Sequence, residues 1–217
     1  MEIISIIFGT LLGDSHLEKR NPGNGSRFIF KLCNNNVEYL MWFHKFFYLR
    51  GYCNSTKPKL KHLIKKKNKV FFHYSFHTYT FGSFNWIHDI FYKWDSKQFI
   101  KIIPHDFSSY FSPLSLAIWF MNDGYIRGNS VRIAINGWNL DEIKEICNML
   151  SGKYHIMTTI QKGAKNTGYN IYIEKNSIET LTKLIKPYMI ESLTYKLGPA
   201  RYTCGAPATK VAGGKNH

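Results

Sequence analysis

The sequence predicts an α+β protein made of two pseudo-symmetric halves. Each half has the order αββαββα and carries a four-stranded antiparallel sheet, and the two sheets together form a saddle. Three observations predict this. Two apolar runs, residues 3–13 and 113–122, each stop at a single aspartate, Asp14 and Asp123. Behind each aspartate the same succession follows: an alternating strand, a helix opened by Asn with Glu three residues later, a hairpin and a closing helix. A glycine, Gly51 or Gly152, follows the second helix of each half.

The elements follow in order. In the second apolar run Ser112 can accept from the free amides of a first turn, and Pro113 suits the first helical position because its missing N–H is not needed there. That helix runs to Asp123, where Gly124 lets the chain turn away. Residues 15–26 are polar, hold Pro22, Gly23 and Gly25, and read as a loop. Residues 27–31 alternate, with Phe28 and Phe30 on one face and Arg27, Ile29 and Lys31 on the other. Asn35 and Glu38 form a capping box for a helix with Val37, Leu40, Met41 and Phe47 on its apolar stripe, closed by Gly51. Strands are expected at 56–65 and 69–79, joined at 66–68, and Ser83 opens a helix through Trp86, Ile87, Ile90 and Phe91 that ends before Lys101.

In the second half residues 131–136 form the alternating strand, with Arg132, Ala134 and Asn136 on its polar face. Asn139 and Glu142 cap a helix striped by Ile143, Ile146, Cys147 and Leu150, which Gly152 ends. A hairpin at 154–162 and 169–174 precedes a last helix capped by Asn176 and Glu179. The halves are therefore residues 1–104 and 112–198, the linker 105–111, and residues 205–217 a disordered tail.

The 217 residues carry 29 Lys+Arg against 14 Asp+Glu, a formal net charge of +15. Such a surplus calls for an anionic partner, and because the basic residues recur along strands and form no amphipathic helix, nucleic acid fits better than a membrane surface. No apolar run reaches the roughly 20 residues needed to cross a bilayer. The four cysteines (33, 53, 147, 204) stand too far apart for the common zinc patterns and suggest reduced thiols inside a cell. Abundant Lys, Asn, Ile, Phe and Tyr match the usage of an AT-rich genome and lean toward an organelle, mitochondrion or chloroplast.

Either apolar run alone reads as an ordinary buried helix with a solvated aspartate at its tip. Two copies in one chain read differently: two helices packed side by side bring two carboxylates together, an all-oxygen site for a hard divalent cation such as Mg²⁺. The stretches 7–15 (Ile-Phe-Gly-Thr-Leu-Leu-Gly-Asp-Ser) and 116–124 (Leu-Ala-Ile-Trp-Phe-Met-Asn-Asp-Gly) both resemble the motif of the LAGLIDADG homing endonucleases. The acid is kept in both; Gly9 and Gly13 keep the small residues that let the helices approach, whereas the second copy has Ile118 and Asn122 there. The resemblance covers residues 3–198.

It implies a monomeric, site-specific endonuclease that cuts both strands of a long double-stranded DNA target across the minor groove, leaving short 3′ overhangs. The metal would be Mg²⁺ or Mn²⁺, with Ca²⁺ as a non-cleaving substitute. Asp14 and Asp123 are the metal ligands; the backbone carbonyls of Gly13 and Asn122 join them on the strength of the resemblance. Lys101 and Lys196 hold matching places late in each half, where a lysine supports catalysis or only touches phosphate. The saddle would lie over the major groove with the aspartates between the strands. Arg27, Lys31, Arg132 and Asn136 are taken to hold equivalent places in the two halves and suit base edges. Lys57, Lys59 and Lys61, alternating along one strand, read as a solvated face or as phosphate contacts, with His73 and Lys162 also toward the DNA. His16, two residues after Asp14, reads as a satisfied loop histidine. A splicing maturase that binds its own intron RNA on the same scaffold is the alternative.

Overall fold

The computed structural model describes residues 2–20, 25–33, 36–65, 69–163 and 168–198. Helix α1 (Glu2–Leu11) leads through a turn at Leu12–Asp14 into β1 (Ser15–Lys19), β2 (Ser26–Cys33), α2 (Val37–Leu49), β3 (Lys61–Lys65), β4 (Lys69–His77) and α3 (Asn85–Phe91). A small two-stranded sheet, β5 (Tyr92–Trp94) with β6 (Phe99–Lys101), and the short helix α4 (Phe107–Tyr110) come before the second copy. That copy comprises α5 (Pro113–Asp123), β7 (Gly124–Arg127), β8 (Ser130–Ile135), α6 (Leu140–Tyr154), β9 (Thr158–Lys162), β10 (Tyr169–Ile173) and α7 (Ile178–Ile185). Each half holds a four-stranded antiparallel sheet, ordered β1-β2-β4-β3 and β7-β8-β10-β9.

Alternation along the strands sets which face is buried. Phe28 and Phe30 of β2, Leu17 of β1 and Phe76 of β4 point inward, where Phe30 meets Phe43 of α2 at 4.5 Å between ring centroids and Phe28 meets Phe47 at 5.3 Å. The second half is packed mainly with aliphatic side chains: Val131, Ile133 and Ile135 of β8 and Ile171 and Ile173 of β10 are buried, as are Ile143, Ile146 and Leu150 of α6. Between the halves α1 and α5 lie side by side and parallel. A side chain at Gly9 would run into the backbone carbonyl of Ser115 and come within 2.8 Å of Ile118 Cβ. At Gly13 it would come within 3.0 Å of Asn122 Cβ. Two glycines on α1 thus let two largely buried helices touch at the backbone, as the motif suggested, although α5 brings Ile118 and Asn122 to the contact.

Several expectations need correction. Residues 15–19, read as loop, form edge strand β1, because Ser15 and Leu17 alternate inward with the exposed His16 between them. The Asn35 cap lies outside the described residues. Asn36 stands at the N-cap of α2 without a side-chain cap, and Tyr39, Leu40, Phe43, Phe46 and Phe47 bury the helix face while Met41 is only half-buried. Gly51 does close that helix with φ +75°. Gly152 does not end α6, which runs on to Tyr154 and stops where His155 turns left-handed at φ 55°. Gly124 is extended, with φ −71°; it is glycine because a side chain would strike the Phe120 ring at 2.6 Å.

Strand β3 starts at Lys61, so Lys57 and Lys59 lie in the irregular segment before it, where Pro58 is buried between them. Ser83 makes no cap for α3, and Asn176 none for α7, whose N-cap is Ser177; the Ser177 hydroxyl accepts from the Met157 amide at 2.9 Å. The hairpin β5–β6 was not foreseen. The capping boxes at Ser112 and Asn139 form as expected. Cys53 and Cys147 are free thiols, and among the described residues no helix is long and apolar enough to cross a membrane. Residues 205–217 lie outside the described residues.

Candidate nucleic-acid cleavage centre

Because α1 and α5 run parallel, their C-terminal ends and both aspartates emerge together. A side chain at Gly13 would lie 2.6 Å from Asp123 Oδ2, so the first helix presents a bare backbone to the second helix's carboxylate. Asp123 is half-buried and opens into a cleft of about 880 Å³ lined in part by Tyr125, Ala134, Tyr195 and Lys196. Asp14 reaches solvent.

Helix C-termini leave carbonyls unsatisfied, and here lysines take them. Lys101, at the end of β6, donates to Leu11 O and Ser15 O, each at 2.8 Å. Lys196, nearly buried, donates to Met121 O at 2.6 Å and Asn122 O at 3.2 Å. The two lysines therefore occupy matching places, as expected, but they bind main-chain oxygens. Among the described residues neither aspartate forms an ion pair.

The electrostatics follow from that geometry. Burial pushes the Asp123 carboxyl up to about 7, repulsion from Asp14 adds to it, and Lys196 and Lys101 pull it part of the way back. Asp14 is raised by burial against the same two lysines. Burial lowers Lys101 to about 8 despite both aspartates, and lowers Lys196 likewise. The Tyr39 hydroxyl donates to Ile118 O at 3.1 Å and is held well above its usual range, by burial first and then by the two carboxylates. Trp138 donates its indole N–H to Leu12 O at 3.4 Å, and its ring lies 5.9 Å from Lys101 Nζ. Both side-chain polar atoms of Asn122 are buried without a partner. Tyr39, Trp138 and Tyr195 were missed: each is an aromatic residue in a helix or loop whose place beside the aspartates depends on contacts between the halves.

The outward faces of the sheets can be read from pairing. In the first sheet Lys31 opposes Ser75, and His73 opposes Cys33 and Lys61, so Lys31, His73 and Lys61 share the face turned from the core; Lys61 Nζ donates to Ser75 Oγ at 3.3 Å. Arg27 shares that face but is in a close ion pair with Glu18 of β1, so its charge is already matched. His16 is outward on β1, not in a loop, and burial lowers its pKa. In the second sheet Tyr125, Arg132, Tyr172 and Asn170 face outward; the first and last are joined by a 3.1 Å hydrogen bond from Tyr125 Oη to Asn170 Oδ1. Tyr125, Asn170 and Tyr172 were not foreseen, although alternation around Ile171 and Ile173 would have found the last two.

Two expectations about this face change. Lys162 opposes Tyr169 and so has the parity of Ile160 and Ile171; it is exposed at the rim, and Thr159 and Gln161 hold the outward positions of β9. The equivalence of Arg27 with Arg132 and of Lys31 with Asn136 is a slip of two residues. Ser15 and Gly124, each following an aspartate, pair with Phe30 and Ile133, so Arg132 corresponds to Ile29, Lys31 to Ala134 and Asn136 to Cys33. A two-residue slip preserves the face and moves the side chain about 7 Å along the strand, which is why alternation alone did not reveal it.

Comparison with known proteins agrees with this architecture. The model of the LAGLIDADG DNA endonuclease family matches residues 4–181. The cytochrome b mRNA maturase bI2 of Saccharomyces cerevisiae is 40% identical over 201 residues, 91% of this chain and 48% of that protein, so the chain spans about half the length of this relative. The intron-encoded endonuclease ai4 of Dictyostelium discoideum is 38% identical over 159 residues, 71% of this chain and 98% of that protein. Among solved structures, the homing endonuclease I-WcaI bound to its DNA recognition sequence superposes with a TM-score of 0.77 at 24% identity, covering 91% of this chain and 86% of that one. With two motif helices packed through Gly9 and Gly13 and paired aspartates at their ends, the chain belongs to the LAGLIDADG DNA endonuclease family.

Proposed function

We infer that this chain is a site-specific DNA endonuclease that works as a monomer in an organelle, makes a double-strand break across the minor groove and leaves short 3′ overhangs. The observation that carries the reading is a pair of carboxylates brought together at the ends of two helices, both held above their usual range by burial even though Lys196 and Lys101 lie close enough to oppose the shift. Two acids sharing one site resist ionisation together. A divalent cation relieves that resistance, and Mg²⁺ suits the donors: it takes one or two carboxylates and leaves the remaining positions to water and phosphate oxygens. Among the described residues no cluster of three or more His, Cys, Asp or Glu offers a site for a metal that needs more protein ligands.

Asp14 and Asp123 would hold the ion, with Gly13 O as a further ligand; Asn122 O already accepts from Lys196 and has one lone pair left. When bound, a divalent ion would supply positive charge at the scissile phosphate and lower the pKa of a bound water. The chain's own residues do the rest. Lys196 and Lys101 fix the two helix ends by binding their carbonyls, which holds the carboxylates in register, and their charge partly offsets that of the two carboxylates. The outward sheet faces, with Lys31, Lys61, His73 and Arg132, position the duplex through phosphates and base edges. Lys57 and Lys59, exposed in the segment before β3, and Lys162, exposed at the end of β9, suit phosphate contact only.

Splicing support by binding intron RNA is the second reading, favoured by the maturases of Saccharomyces cerevisiae and Debaryomyces hansenii at 40% and 38% identity. The two are separated by incubating the protein with plasmid libraries of DNA sites in Mg²⁺ and, in parallel, with intron RNA. Linear DNA ends with a unique sequence support the nuclease, and splicing without cut DNA supports the maturase.

A further inference from the structure

One row of side chains next to the centre differs sharply between the halves. Two residues after each aspartate the chain presents an outward side chain, His16 in the first half and Tyr125 in the second. His16 pairs with Ile29, and Ile29 with His77; Tyr125 pairs with Arg132, and Arg132 with Tyr172. The rows His16–Ile29–His77 and Tyr125–Arg132–Tyr172 are therefore counterparts, each about 7 Å along the edge strand from its own aspartate.

Their chemistry is opposite. Arg132 sits between two tyrosines, with its guanidinium carbon 5.7 Å from the centre of the Tyr172 ring. Tyr125 is itself tied to Asn170. Among the described residues Arg132 has no acidic partner, unlike Arg27 with Glu18, and its Nε is buried without a hydrogen bond. A guanidinium held beside an aromatic ring loses less freedom on binding and keeps its planar fork for a two-acceptor edge. In the major groove that edge is guanine O6 and N7. At the counterpart position Ile29 offers only methyl groups, and the one apolar feature of the major groove is the thymine methyl.

Resting on the DNA-cutting reading, we propose that this chain reads a guanine with Arg132 in one half-site and a thymine with Ile29 at the dyad-related position of the other. The target is then non-palindromic at this pair of positions, and the row beside each aspartate sets the orientation in which the protein sits on its site.

The test is selection of cleaved sites from a randomised duplex library in Mg²⁺ by wild type, Arg132→Ala, Arg132→Lys and Ile29→Arg, with circular dichroism confirming that each variant is folded. Wild type should enrich guanine at one position and thymine at its dyad mate. Arg132→Ala should lose the guanine preference by about 5- to 150-fold. Arg132→Lys, which keeps the charge but not the fork, should lose most of that preference while retaining affinity. Ile29→Arg should move the dyad mate from thymine toward guanine and leave the other half-site unchanged. The proposal is overturned if wild type selects the same base at both positions, if the Arg132 variants keep the wild-type profile, or if Ile29→Arg leaves its half-site unaltered. If wild type selects no duplex at all, the DNA-cutting reading falls, and this proposal with it.

Discussion

Replacing Asp123 with asparagine should make the metal-free protein more stable while abolishing cleavage, and the gain should depend on pH. Asp123 titrates at about 7 in the folded chain against 3.8 when unfolded, because burial and Asp14 both oppose its charge. Folding therefore takes up a proton between those values, and wild type loses stability as pH rises from about 4 to about 7. A rise of about three units corresponds to about 4 kcal/mol if realised in full; Asp123 is only half-buried, and solvent screening reduces this to about 1–3 kcal/mol. Asparagine keeps the shape without the charge. For a chain of this size each kcal/mol shifts Tm by about 2–4 °C, so Asp123→Asn should melt about 2–12 °C above wild type at pH 8 and above it by roughly 40% of that margin at pH 5. The assay is thermal unfolding of both proteins in EDTA at the two pH values. An equal difference at both, or a variant less stable at pH 8, would refute the reasoning that burial and the neighbouring carboxylate outweigh Lys196 and Lys101 at Asp123. Mg²⁺ should raise Tm of wild type more than of the variant.

Gly13→Ala places a methyl group 2.6 Å from Asp123 Oδ2 and 3.0 Å from Asn122 Cβ; overpacking of this kind costs about 1–3 kcal/mol, seen as a lower Tm, and slower single-turnover cleavage should accompany it. Lys196→Met removes the donor that two buried carbonyls share, so stability should fall by about 1–3 kcal/mol and cleavage should slow on every site alike, with no change in base preference by library profiling. If the sheet faces bind phosphates, log affinity should fall with log salt at about −0.9 per contact, and Lys31→Ala and Lys61→Ala should each flatten that slope in filter-binding titrations, whereas Arg27→Ala, already paired with Glu18, should flatten it less.

Much of the fold was legible because the pattern occurs twice. Asp14 and Asp123 at the ends of apolar runs, the capping boxes at Ser112 and Asn139 and the inward Phe28 and Phe30 are local signals, and local propensity agrees with the packing there. What escaped depends on partners distant in sequence. Strand β1 is a short edge whose polarity resembles a loop until Phe28 and Phe30 oppose it. Gly152 suggests a helix end, yet α6 continues because nothing there requires a positive φ. At the centre both acids and both lysines were readable. That the lysines bind carbonyls and not carboxylates was not, because it depends on how lysines 90 and 75 positions further along the chain fold back onto the end of each half's first helix. The two-residue slip between the halves of the outward face has the same origin: alternation gives the face, and only pairing gives the register.

The central claim is that Asp14 and Asp123 together hold the cation that cuts DNA. It is tested most directly by incubating wild type, Asp14→Asn and Asp123→Asn with a selected duplex site, measuring binding in Ca²⁺ and cleavage in Mg²⁺ on the same preparations. The account predicts that all three bind with similar affinity, or the variants slightly tighter as repulsion of phosphate falls, and that wild type alone breaks both strands, with EDTA stopping it. A double-strand break by either variant in Mg²⁺ would contradict the account.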